Sequence, residues 1–157
     1  MSITINTKIN GHSVTAMADA STSLLEFLRD ILEMKGSKLC CNTGECGACT
    51  IIYNGKPINS CVTMAADANG AEITTIEGLA EGDKLHPVQQ AFIDTGAVQC
   101  GYCTPGFIMS VKALFDRTKK PTAQDIEEAI SGNICRCTGY NKIVDAIHLA
   151  AQKLQAR

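Results

Sequence analysis

The chain has 157 residues, of which 45% are apolar and 19% are charged, and its formal net charge is −2. Nucleic-acid binding is not expected, because the 14 basic residues are balanced by 16 acidic ones and form no long run. No apolar segment approaches the ~20 residues that a helix needs to span a bilayer, and the first ten residues contain no hydrophobic signal core. These features predict a cytoplasmic protein of one or two small domains, without a membrane span.

The first half of the chain has the pattern of a small mixed sheet. The alternation of apolar and polar residues and two Asn-Gly turns, at Asn10 and Asn54, indicate paired strands. Ser23 to Glu26 has the form of a capping box, which predicts a helix as far as about Leu32. The predicted strands cover 2–9, 12–17, 50–53, 56–61 and 72–76. One helix packed across such a sheet is compatible with a β-grasp fold.

After Gly78 the pattern changes from strands to helices. Thr104 followed by Pro105 resembles an N-cap and a proline at the first helical position. The predicted helices cover 87–94, 104–118, 122–130 and 142–155. Their lengths suggest a four-helix bundle. We therefore predict an α+β protein with two domains, at 1–77 and 78–157.

Eight of the nine cysteines form two sets of four. The first set has the spacing C-x4-C-x2-C, completed by a fourth cysteine in the following hairpin, and this spacing is typical of plant-type [2Fe–2S] sites. The second set combines a C-x2-C pair with a distant C-x-C pair. The first set is Cys41, Cys46, Cys49 and Cys61, and the second is Cys100, Cys103, Cys135 and Cys137.

Other uses of these cysteines are less compatible with the sequence. Disulfides need an oxidising compartment, which no export signal supports, and an odd number of cysteines leaves one unpaired. Structural zinc sites often contain C-x2-C pairs, but C-x4-C-x2-C is not their usual spacing. A Rieske centre is not expected, because none of the three histidines lies near a cysteine pair.

Three segments resemble the small iron–sulfur subunit of the xanthine oxidase family of molybdenum hydroxylases. They are Gly44-Glu45-Cys46-Gly47-Ala48-Cys49-Thr50, Gln99-Cys100-Gly101-Tyr102-Cys103-Thr104-Pro105-Gly106 and Gly132-Asn133-Ile134-Cys135-Arg136-Cys137-Thr138-Gly139-Tyr140. The resemblance implies a plant-ferredoxin-like domain followed by a helical domain, each with one [2Fe–2S] cluster. It also implies a large subunit that binds a molybdopterin-type molybdenum cofactor and, usually, a medium subunit that binds FAD.

Roles for single residues follow from the same resemblance. The first cysteine set would hold the cluster that faces the flavin, and the second would hold the cluster that faces molybdenum. Gln99 and Cys137 match positions that contact the pterin in relatives. Cys40 occupies a position where the family most often has glycine, so we expect it to be a small buried residue rather than a ligand.

The expected function is electron transfer from molybdenum through both clusters to FAD, without substrate chemistry in this chain. Two alternatives remain, a free-standing two-cluster ferredoxin and a zinc-structured interaction module. The substrate and the final electron acceptor cannot be read from the sequence, because selectivity would lie in the large subunit.

Overall fold

A computed structural model of the chain describes residues 1–156. The first half forms a five-stranded mixed sheet in the order β2-β1-β5-β3-β4. Strands β1 and β5 are parallel, and the other neighbouring strands are antiparallel. The strands are β1 Ser2–Ile9, β2 His12–Asp19, β3 Thr50–Tyr53, β4 Lys56–Asn59 and β5 Glu72–Thr74. The predicted mixed sheet is therefore confirmed.

The helix that crosses this sheet begins at the predicted capping box. Ser23 Oγ accepts the backbone N–H of Glu26, whose carboxylate accepts the backbone N–H of Ser23. Helix α1, Leu24–Glu26, continues as a wider π-helical segment, Phe27–Ile31. The fully buried Phe27 and Leu28 belong to the same apolar core as the inner residues of β1, β3 and β5. The helix thereby closes one face of the sheet.

Two predicted strands end earlier than expected. The Ser60 hydroxyl and N–H both bond to the Cys49 carbonyl, and this turns the chain out of β4 into a 3₁₀ turn, Ser60–Val62. Cys61 therefore lies in the turn rather than in the strand. At the end of β5, the N–H of Thr75 donates to Asn10 Oδ1 instead of continuing the sheet.

The second half contains four α-helices around an apolar core that includes Phe92, Phe107 and Phe115. They are α2 Pro87–Asp94, α3 Thr104–Arg117, α4 Ala123–Ile130 and α5 Asn141–Gln155. The predicted N-cap of α3 is wrong by one residue, because Thr104 is already helical and Cys103 is the N-cap. Pro105 is still tolerated, since the first four N–H groups of a helix have no intrahelical partner.

The two halves share part of one core, because Ile52 of β3 belongs to the apolar cluster of the helices. Within residues 1–156 no helix is both long and apolar enough to cross a membrane.

Candidate metal centres

The first cysteine set lies in the loop between α1 and β3, together with Cys61 from the turn after β4. Gly44 and Gly47 have φ angles of +80° and +66°, a region that favours glycine. These conformations curl the loop so that backbone N–H groups point inward. Cys41 Sγ accepts the N–H groups of Thr43 and Cys46, each at 3.4 Å.

The surroundings of these thiols shift their pKa values in opposite directions. Hydrogen bonding with Thr43, and to a smaller extent the N–H of Cys46, lowers the pKa of Cys41 to about 5. Burial raises the pKa of Cys61 to about 12, and its contact with the thiol of Cys49 adds to this effect. Burial also raises the pKa of Cys46. A cation beside the buried thiols would be needed to stabilise all four as thiolates.

The second cysteine set comes from two loops of the helical half. Cys100 and Cys103 precede α3, whereas Cys135 and Cys137 lie between α4 and α5. The Sγ atoms of Cys100 and Cys137 are 3.6 Å apart and both residues are exposed. Cys103 and Cys135 form a second, more buried pair of contacting thiols.

Hydrogen bonds and burial act in opposite directions in this inner pair. Burial raises the pKa of Cys103 to about 12, and the adjacent Cys135 thiol contributes to the shift. Burial would also raise the pKa of Cys135, but hydrogen bonds from Thr138 and other donors outweigh it, so the pKa is lowered. In the outer pair, the thiol of Cys100 raises the pKa of Cys137.

Each set thus contains two pairs of adjacent thiols, which in the first set are Cys41 with Cys46 and Cys49 with Cys61. Within residues 1–156, no three Cys, His, Asp or Glu side chains are arranged to hold one metal ion, and all nine cysteines are free thiols. Two pairs of thiols are compatible with a two-iron cluster, in which each iron takes two cysteines.

The two sets lie next to each other across the contact between the halves. The N–H of Ile134 donates to the carbonyl of Cys46 at 2.9 Å. Because Ile134 directly precedes Cys135, this hydrogen bond joins the loop of the second set to a cysteine of the first set. A cavity of about 330 Å³ is lined by all four second-set cysteines and also by Cys46 and Ala48. The donor atoms and the space are therefore compatible with a cluster at the second set.

The ninth cysteine differs from our expectation. Cys40 is exposed, so the prediction of a buried residue is wrong. Its φ angle is not positive; the left-handed non-glycine residues of the loop are Glu33, at +56°, and Asn42, at +58°. Cysteine at position 40 is therefore accommodated without backbone strain. Its side chain borders the cavity of the second set.

Three other residues that the sequence singled out lie outside the two cysteine sets. His86 caps α2 by accepting the N–H of Val88. The Tyr140 ring packs edge-on against Phe107, with centroids 6.0 Å apart. Gln99 is exposed, next to the outer thiol pair. Sequence reasoning missed Asn133 and Thr138, although both lie in the segment that carries the resemblance.

Comparison with known families agrees with this geometry. Residues 4–94 match the family described as "2Fe-2S iron-sulfur cluster binding domain", and residues 75–148 match "[2Fe-2S] binding domain". The chain is 46% identical over 151 residues to the nicotinate dehydrogenase small FeS subunit of Eubacterium barkeri, covering 96% of each chain.

Solved structures of similar sequence superpose closely on this chain. A chain of quinoline 2-oxidoreductase from Pseudomonas putida 86 superposes with a TM-score of 0.94 at 36% identity, covering 99% of this chain and 97% of that one. The aldehyde oxidoreductase from Desulfovibrio desulfuricans also gives a TM-score of 0.94, at 41% identity, but this chain covers only 17% of it. In that enzyme the equivalent of this chain is one part of a much longer polypeptide.

A ferredoxin-like domain followed by a helical domain, both matching [2Fe–2S] families, defines an iron–sulfur protein with two cluster-binding domains. The chain belongs to the family of small [2Fe–2S] subunits of molybdenum hydroxylases. It is an iron–sulfur electron-transfer subunit of such a complex, as the resemblance implied. Neither the zinc-structured module nor the free-standing ferredoxin is supported by these relatives.

Proposed function

We propose that Cys41, Cys46, Cys49 and Cys61 hold one [2Fe–2S] cluster and that the second cysteine set holds the other. The division of each set into two thiol pairs supports this assignment, because each iron of such a cluster takes two cysteines. Cys40 is left out of the ligand set, since the N–H donors of the first loop point at Cys41. The domain boundary is proposed between residues 77 and 78.

We further propose that the complex contains a large subunit with a molybdopterin-type molybdenum cofactor and a medium subunit with FAD. Gln99 and Cys137 would contact the pterin. Both are exposed on the side of the outer thiol pair, so a partner can reach them. The proposed location of the complex is the cytoplasm.

When bound at the two cysteine sets, the clusters would supply one-electron transfer, and the proposed order would run from molybdenum through the helical-domain cluster and the ferredoxin-like cluster to FAD. The protein's contribution is to hold the two centres at a fixed separation and to exclude water between them. The single observation that carries this proposal is the hydrogen bond from Ile134 N–H to the Cys46 carbonyl, which joins the two candidate sites directly.

The test is purification of the chain from its native cells. We expect large and medium chains to co-purify with it, about four iron atoms per chain and two distinct EPR signals after reduction. A colourless preparation that contains zinc, or a chain that purifies alone with one EPR signal, would contradict the proposal. Loss of FAD from an otherwise intact complex would contradict only the medium-subunit part.

A further inference from the structure

The loop that carries Cys135 supplies a side-chain hydroxyl to its sulfur. Thr138 Oγ1 lies 3.0 Å from Cys135 Sγ, and the N–H of Thr138 donates to the same sulfur at 3.4 Å. The backbone donors to Cys41 Sγ in the other loop are both at 3.4 Å. Among the hydrogen bonds to sulfur within residues 1–156, the bond from the Thr138 hydroxyl is therefore the shortest.

The direction of this hydroxyl is determined by its second neighbour. The N–H of Tyr140 donates to Thr138 Oγ1 at 3.3 Å, so the oxygen already acts as an acceptor there. A threonine hydroxyl has only one proton, and the geometry leaves it for Cys135 Sγ. The loop thus presents an O–H donor, rather than a lone pair, to the sulfur.

Tyr140 holds the loop in this shape. Its hydroxyl accepts the N–H of Cys135 at 3.0 Å, and its ring packs on Phe107. Its φ angle is +69°, which is unfavourable for a bulky residue and persists only where the surroundings hold it. Contacts at both ends of the Tyr140 side chain therefore keep Thr138 in place.

We propose that Thr138 is a positioning residue that raises the reduction potential of the helical-domain centre through its hydrogen bond to Cys135 Sγ. The inference rests on the proposed function, because it requires a cluster at Cys135. One-electron reduction adds one negative charge to the centre, and no proton is transferred. A donor aimed at a ligand sulfur stabilises the more negative, reduced state more than the oxidised state.

The test is a redox titration of the purified, cluster-containing protein, followed by EPR, for the wild type and three variants. Thr138→Val and Thr138→Ala remove the hydroxyl, whereas Thr138→Ser retains it. In the first two variants we expect the ratio of reduced to oxidised helical-domain centre at a given potential to fall about threefold to tenfold. The signal of the other centre is the internal control and should not move, and Thr138→Ser should behave as the wild type.

The outcomes separate this inference from the function on which it rests. Absence of any [2Fe–2S] signal from the wild type would refute the proposed function itself. Two signals with unshifted potentials in Thr138→Val and Thr138→Ala, or an equal shift in Thr138→Ser, would refute only the role of Thr138. Loss of the centre in both hydroxyl-free variants would assign Thr138 to assembly and would also overturn the proposal.

Discussion

The side-chain amide of Asn133 donates a hydrogen bond to the backbone carbonyl of Gly47 at 3.0 Å, across the contact between the two halves. Asn133 lies two residues before Cys135, and Gly47 directly follows Cys46. Asn133 is only 4% exposed, and its Oδ1 accepts the hydroxyl of Ser110 at 2.7 Å. One buried side chain therefore links the two cysteine loops to each other and to helix α3.

Replacing this side chain should loosen the contact. Asn133→Ala removes the amide and leaves the buried Ser110 hydroxyl without its acceptor, which we expect to lower the free energy of unfolding by about 1–3 kcal/mol. The measurement is denaturant unfolding of the cluster-containing protein, followed by visible absorption and circular dichroism. Gln124→Ala, which removes a solvent-exposed amide bonded only to Glu128, is the control and should stay within about 0.5 kcal/mol of wild type. Equal stability of the two variants would refute the role of Asn133.

The close approach of the halves also depends on Gly106 in α3. A Cβ at this position would lie 2.1 Å from the carbonyl oxygen of Gly47 and 3.2 Å from Cα of Ala48. Gly106→Ala should therefore force the halves apart, lower the free energy of unfolding by about 1–3 kcal/mol and slow electron transfer between the centres. Gly132→Ala is the matched control, because a Cβ there meets no atom within 4 Å.

Unfolding curves and rapid-mixing reduction kinetics would measure both effects for the two variants. If Gly106→Ala were as stable as Gly132→Ala and transferred electrons as quickly, the contact at Gly47 would not determine the separation of the centres.

The ligand assignment predicts that either centre can be lost without the other. Cys137→Ser should weaken or abolish the EPR signal of the helical-domain centre and leave the plant-type signal largely unchanged, because the two cysteine sets occupy different halves. Cys49→Ser should have the opposite effect. Iron analysis and EPR of the purified variants test both expectations, and simultaneous loss of both signals in either variant would contradict two independent centres.

Cys40 should be dispensable for both centres. Cys40→Gly and Cys40→Ser keep the backbone conformation available, and the N–H donors of the loop remain directed at Cys41. We expect wild-type iron content and both EPR signals in either variant. Cys41→Ser is the positive control, and loss of the plant-type signal in a Cys40 variant instead would reassign the ligand.

The proposed orientation in the complex can be tested with two exposed apolar residues. Ile134, which is 51% exposed, lies beside the second cysteine set, and Val62, which is 59% exposed, follows Cys61 of the first set. Ile134→Asp should weaken association with the large subunit, whereas Val62→Asp should weaken association with the FAD subunit. Quantitative co-purification of each partner measures the effect. The reverse pattern would invert the proposed order of the centres.

Local sequence signals were sufficient to predict most of the fold. The Asn-Gly turns, the capping box at Ser23 and the alternation of the strands depend on residues close in sequence, and each lies where it was predicted. The errors concern the ends of β4 and β5, where Ser60 and Thr75 hydrogen-bond to residues distant in sequence, and the start of α3, which lies one residue earlier than predicted. Hydrogen bonds between residues distant in sequence leave no periodic pattern in the sequence by which they could be predicted.

The sequence by itself determined the two cysteine sets, the kind of centre that their spacing suits and the family, because ligand spacing within a loop is a local property of the chain. Only the tertiary structure decided which thiols form pairs, that Cys40 is exposed, and that Ile134 and Asn133 join the helical loop to Cys46 and Gly47. Those contacts connect segments more than 80 residues apart. They arise when α3 packs on the sheet and glycine leaves room for the backbones to meet, which spacing along the chain does not encode.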